Sequence, residues 1–152
     1  MKKALIVSLC LLGVGLGSVA QARGLTASER KSAQNLGQQI AYVQNRFEDL
    51  GYSSDSHELG AGMLAQGQRE GSGIRLDSGV EYKIVGVCDS NCRDLDLFLY
   101  DENGNQVSRD ASNDSLPIVT VTPRWDGRFL LRASMARCSK AKCGYAVRVF
   151  SR

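Results

Sequence analysis

A single histidine, His57, stands in 152 residues, and neither H-E-x-x-H nor G-x-S-x-G frames it. A catalytic or zinc-bound histidine needs an orienting partner, so the triad hydrolases and zinc peptidases find no support here. No enzyme activity is expected, and His57 reads as an exposed structural residue of a polar stretch. C-x-x-C is missing too, which removes the usual redox motif. No basic stripe follows the chain, so nucleic acid is not an expected partner. Internal repeats and low-complexity segments are absent.

Only one long apolar run is present. It lies at the start, MKKALIVSLCLLGVGLGSVAQA, two lysines followed by an apolar stretch and the A-x-A form of Ala20-Gln21-Ala22. That is the pattern of a secretory leader, too short and too rich in glycine to span a membrane. Cleavage after Ala22 would discard Cys10 and leave 130 residues, room for one core and an appendage. The net charge of +3 rests partly on Lys2 and Lys3; without them 17 basic residues face 16 acidic ones, a balance of +1. The expected organisation is a leader at 1–22, a helix at 23–51, a connector at 52–62 and a β-sandwich at 63–152. The expected location is outside the cytoplasm, periplasmic or secreted, with no membrane span in the mature chain.

Four cysteines remain after the leader: Cys88, Cys92, Cys138 and Cys143. An even number in an exported chain reads as a disulfide framework with three connectivities, of which the neighbour pairs Cys88 with Cys92 and Cys138 with Cys143 are favoured. The competing reading is a four-thiolate zinc site, but such sites usually have tighter knuckles than these gaps of three and four residues.

Thr26-Ala27-Ser28-Glu29 has the form of a capping box, which predicts a helix start. From there Ala33, Leu36, Ile40, Val43, Phe47 and Leu50 recur every three or four residues, one apolar stripe that ends at Gly51. At 1.5 Å per residue a helix over 27–50 would be about 36 Å long. Its stripe is expected to cover a face of the following domain. The alternative is a homo-oligomer in which the stripe is a seam with a second copy, and Gly37, which weakens the helix by about 1 kcal/mol, favours the first.

After the polar stretch GYSSDSHELGAG the period switches to two. Strands are predicted at 63–66, 73–76, 81–87, 95–100, 106–109, 118–122, 128–135 and 145–150, separated by turn signals such as Asn103-Gly104 and Asp126-Gly127. Many short strands without intervening helices imply an antiparallel β-sandwich. Alternation sends Leu95, Leu97 and Leu99 inward with Phe129, Leu131, Ala133 and Met135, and Tyr145, Val147 and Val149 with them. Ile84-Val85-Gly86-Val87 is apolar on both faces, as a central strand covered on both sides would be.

Three segments, GMLAQGQREGSGIRLDSGVEYKIVGVCD, DLDLFLYDENGNQVSRD and DSLPIVTVTPRWDGRFLLRAS, carry an L-x-x-G-x-x-Y strand pair, a D-x-D-L strand with an N-G turn, and a late G-x-F strand. Over 62–150 the chain resembles the bacterial pre-peptidase C-terminal domain. The resemblance implies a jelly-roll-like sandwich, of a kind usually appended to secreted peptidases and thought to assist export or bind substrate. Here it implies a stand-alone accessory module, and the cysteine pairs depart from the family's general pattern.

Two surface features could carry chemistry. Asp94 and Asp96 share a strand face, with Asp110 and Asp114 close in sequence, and paired carboxylates repel unless a cation lies between them. Calcium, which some relatives of the resembled family bind, is the candidate cofactor; the alternative expected more strongly is that Arg132 or Arg148 supplies the counter-charge. Asp101-Glu102-Asn103-Gly104-Asn105 has its glycine two places early for an EF-hand loop and reads as a hairpin turn. Phe98, Tyr100 and Phe150 point outward and would form either a binding surface for a protein or glycan of the cell envelope, or the bed of the N-terminal helix. Trp125 is expected to cap one end of the sandwich. A small secreted hydrolase built on two carboxylates would need a cleft, and no loop is long enough to wall one.

Overall fold

The computed structural model describes residues 24–152, and the side chains of all of them but 55–59. The expected leader and its cleavage point lie outside the described residues. Helix α1, Ala27–Asp49, begins at the predicted capping box: Thr26 Oγ1 accepts the Glu29 amide at 3.2 Å, and the Glu29 carboxylate accepts the Thr26 amide at 2.7 Å. It ends at Leu50, followed by Gly51 at φ 82°, a left-handed conformation that glycine adopts without a Cβ penalty.

Eight strands follow: β1 Ser53–Leu64, β2 Arg69–Leu76, β3 Tyr82–Cys88, β4 Cys92–Tyr100, β5 Gln106–Asp110, β6 Ile118–Val121, β7 Gly127–Cys138 and β8 Cys143–Ser151. They form two four-stranded antiparallel sheets, β1-β8-β3-β6 and β2-β7-β4-β5. The chain changes sheet at every connection except the β4–β5 hairpin, which is the jelly-roll arrangement of a sandwich. The fold class is as expected, mainly β with one N-terminal helix.

Between the sheets lies the main core. Leu95, Leu97, Leu99 and Met135 have no exposure, and Ile84, Val119 and Val149 meet them from the first sheet. Glu70 on β2 and Tyr145 on β8 join the sheets at 2.7 Å through the phenol hydrogen. Burial and the carboxylate raise the Tyr145 hydroxyl well above its ordinary value.

A second core lies between α1 and the outer face of the first sheet. Leu36, Val43 and Phe47 pack there on Val85, Val87, Ala146 and Phe150. Strand β3 is therefore covered on both faces, as its apolar run predicted. The Phe47 and Phe150 rings stack at 4.7 Å between centroids. Polar ties flank this layer: Gln39 donates to the Cys88 carbonyl at 2.7 Å, Ser32 to Asp89 at 2.6 Å, and Arg148 to Gln44.

Strands β2 and β4 begin four and three residues before their predicted starts, β7 runs three residues past its predicted end, and the first boundary differs most. The segment 52–62, expected to be a connector, is mostly strand: β1 runs antiparallel along the edge of β8, with register shifts between Ser54 and Glu58 and between Glu58 and Gly60. Irregular pairing at a sheet edge erases the two-residue period that would have marked it.

Both disulfides form between neighbours, Cys88–Cys92 and Cys138–Cys143, with Cα atoms 5.8 and 5.9 Å apart. They brace one end of the sandwich. Their two loops are joined, because the Ser139 amide and hydroxyl both donate to the Asn91 carbonyl at 2.9 and 2.8 Å. At the other end of β7, Trp125 stacks on Phe129 with centroids 5.8 Å apart. No helix among the described residues is long and apolar enough to cross a membrane.

Candidate functional site

Helix α1 covers only the first sheet, so the outer face of β2-β7-β4-β5 has no helix over it. The register of β4 and β7 arranges this face in rows. Phe98 lies between Arg132 on β7 and Arg109 on β5, and Tyr100 lies beside Leu130. The Arg132 guanidinium carbon is 5.1 Å from the Tyr100 ring centroid, within range of a cation–π contact. On β2 the partners of Arg132 and Leu130 are Gly71 and Gly73, which contribute no side chain. Toward the β4–β5 hairpin this face holds a groove of about 460 Å³ bounded by Tyr100, Leu130, Arg128 and Arg132, with Asp101 and Glu102 of the hairpin at one end.

Asp101 is occupied by its own turn. Its carboxylate accepts the Asn105 side chain at 2.9 Å and the amides of Asn103 and Asn105 at 2.9 and 2.8 Å. These bonds hold it below the usual aspartate range, the Asn105 side chain contributing most. The loop is thus the hairpin turn expected from its glycine position.

The carboxylates singled out in the sequence are brought together only in part. Asp94 and Asp96 share the outer face near the disulfide end, and Asp110 is close enough to act on Asp96. Burial first, then the charges of Asp94 and Asp110, raises the Asp96 carboxyl. Asp110 accepts the Ile118 amide at 2.9 Å and the Ser112 amide at 3.1 Å, and Asp114 accepts the Leu116 amide at 2.9 Å. Those two are turn anchors. The Asp94 Oδ1 is buried without a hydrogen bond. Among the described residues no group of three or more His, Cys, Asp or Glu side chains is arranged to hold a metal.

The expected counter-charges are corrected. Arg137 serves Asp94, its Nε 3.6 Å from Oδ2, with Asn113 holding the guanidinium, and Arg69 is the cation acting on Asp96. A register shift between Cys92 and Leu95 sets Asp94 opposite Arg137. Arg148 lies on the first sheet with Gln44, and Arg132 on Tyr100.

The three aromatic residues expected on one surface also separate. Phe150 is fully buried under α1, because outward from its sheet means toward the helix. Phe98 and Tyr100 remain on the uncovered sheet, half-buried among arginines. The stripe on α1 is turned to its own sheet: Leu36, Val43 and Phe47 are buried, Ile40 is partly buried, and Ala33 and Leu50 are exposed. The His57 side chain lies outside the described residues.

Sequence reasoning missed Arg128 and Leu130 as parts of a groove. Alternation gives their facing, but the adjacency of β7 to both β2 and β4 is a property of the topology. The arrangement offers aromatic and guanidinium surfaces for stacking and for bonds to oxygen acceptors. Comparison with protein-family models and with curated proteins finds no match.

Proposed function

We propose that the protein is an exported, non-enzymatic accessory module of the cell envelope that binds an extended protein or glycan strand on the open face of its second sheet. The observation carrying this reading is the asymmetry of the sandwich. One outer face is packed under α1 through Leu36, Val43 and Phe47, whereas the other has no helix over it and keeps a groove between Tyr100, Leu130 and Arg132 beside the β4–β5 hairpin. Aromatic rings and arginines are the residue types that suit such a surface, offering contact area and directed donors. The A-x-A leader pattern and the complete pairing of the four remaining cysteines support export. A place among the pre-peptidase C-terminal domains, as a stand-alone member, belongs to the same proposal and rests on the sequence motifs.

The test compares wild type with Tyr100→Ala/Arg132→Ala for retention on isolated envelope glycan and on the proteins of the envelope fraction. Loss of retention with an unchanged melting temperature supports the reading. Full retention by the double variant overturns it.

A further inference from the structure

The helix side of the molecule has a second, differently charged cavity. It measures about 490 Å³ and lies between the first turns of α1 and the two disulfide-closed loops. Its cations are Lys31 on the helix and Lys140 and Lys142 on the loop closed by Cys138–Cys143. None of the three is paired with an acid among the described residues.

The carboxylate lining the cavity, Asp89, is 3% exposed and committed elsewhere. Its Oδ2 accepts the Ser32 hydroxyl at 2.6 Å and the Gly144 amide at 2.8 Å, and its Oδ1 accepts the Asn91 amide at 3.0 Å. Glu29, the acid of the first helical turn, is directed back to the Thr26 amide. Three exposed lysines thus line one concavity whose neighbouring acids are engaged in structure. An anion bound in the concavity would be within reach of all three cationic side chains.

The walls are preorganised. Lys140 and Lys142 are carried on a six-residue cycle that is itself hydrogen-bonded to the Cys88–Cys92 loop, so little ordering is needed on binding. Ser28, Asn35 and Asn91 add hydroxyl and amide groups to the lining, the complement of sugar hydroxyls. The size exceeds that needed for a bare ion, and lysine recognises phosphate or carboxylate as a point charge. We infer that the cavity walled by Lys31, Lys140 and Lys142 is a binding site for an anionic saccharide unit, one bearing a phosphate or a carboxylate.

The test titrates the oxidised protein with glucose 6-phosphate, glucuronic acid, glucose and inorganic phosphate, following backbone amide signals by NMR. Expected are saturable shifts at Ser32, Asn91 and 140–142 with at least one of the two anionic sugars. That affinity should exceed those of glucose and of phosphate by about tenfold or more, weaken with added salt, and fall at least about tenfold in Lys140→Ala/Lys142→Ala. The relative response to the two anionic sugars distinguishes phosphate from carboxylate as the recognised group. Equal binding of inorganic phosphate reduces the site to an ion site and overturns the inference, as does an unchanged affinity in the lysine variant or no shift with either anionic sugar. The Tyr100→Ala/Arg132→Ala protein should bind the anionic sugar as wild type does, so the groove reading and this one fail separately.

Discussion

Ser32 Oγ donates to Asp89 Oδ2 at 2.6 Å across 57 residues of sequence, and the same oxygen accepts the Gly144 amide. The contact fixes the second turn of α1 against the ends of β3 and β8. It also explains a glycine: a Cβ at Gly144 would stand 2.2 Å from Ser32 Oγ and 3.1 Å from Asp89 Oδ2.

Gly144→Ala should therefore destabilise the fold by about 2–3 kcal/mol, the cost of overpacking a site that cannot yield. Ser32→Ala alone removes one of the bonds to a buried carboxylate and should cost about 1–2 kcal/mol. In the double variant the worst clash is gone, so the two losses should sum to less than their separate values. Urea denaturation of the four proteins checks this, and strict additivity would mean that the serine and the glycine do not share the site.

The helix acts as a cover, and Phe47 is its main anchor. Phe47→Ala removes the ring stacked on Phe150 and should cost about 3–4 kcal/mol. Tyr42, 70% exposed on the same helix, should tolerate alanine within about 0.5 kcal/mol. Light scattering supplies the companion readout: the intact protein should be monomeric, since Leu36, Val43 and Phe47 are already buried, and a chain lacking α1 should aggregate through Val85, Val87 and Phe150. A soluble, monomeric truncated domain, or an intact dimer that truncation dissolves, would give the stripe to a partner instead.

Local periodicity was enough for the layers of this fold. The alternation in DLDLFLY put Leu95, Leu97 and Leu99 inward, and the two-faced run at Ile84 to Val87 announced a covered central strand. The capping box located the start of α1 to the residue. What remained out of reach depends on contacts distant in sequence. Alternation turned Phe150 away from the main core but carried no information that α1 lay on that side. A register shift in β4 chose Arg137 for Asp94, and no local pattern encodes such a shift. Edge strand β1 is rich in serine and glycine, and its pairing to β8 is made by backbone, so its first ten residues read as a linker. Lys31, Lys140 and Lys142 form one site only because the disulfide loops and the helix N-terminal half meet.

Each disulfide closes a loop of five or six residues, for which the chain-entropy relation gives about 2 kcal/mol. Cys88→Ser/Cys92→Ser and Cys138→Ser/Cys143→Ser should each lower stability by about that amount, and full reduction by about 4 kcal/mol. Peptide mapping without reductant should return the two neighbour pairs. Recovery of Cys92 linked to Cys138, which are cross-strand partners in β4 and β7, would overturn the assignment.

The Asp96 carboxyl is raised by its surroundings, through burial and then through Asp94 and Asp110, with Arg69 opposing. A carboxyl whose folded value exceeds its unfolded value favours the fold while protonated, and that contribution is lost as pH rises through the folded value. At neutral pH the ionised Asp96 is therefore a burden, and Asp96→Asn should raise the melting temperature by about 2–4 °C. The gain should shrink as pH falls and vanish below the ordinary aspartate range, where both side chains are neutral. Arg69→Ala should act in the opposite direction at pH 7. Millimolar calcium should leave the wild-type midpoint unchanged relative to chelator, because Asp110 and Asp114 already serve backbone amides. A calcium-dependent rise that Asp96→Asn abolishes would instead show that the carboxylates gather a cation, as binding to the folded state alone must stabilise it.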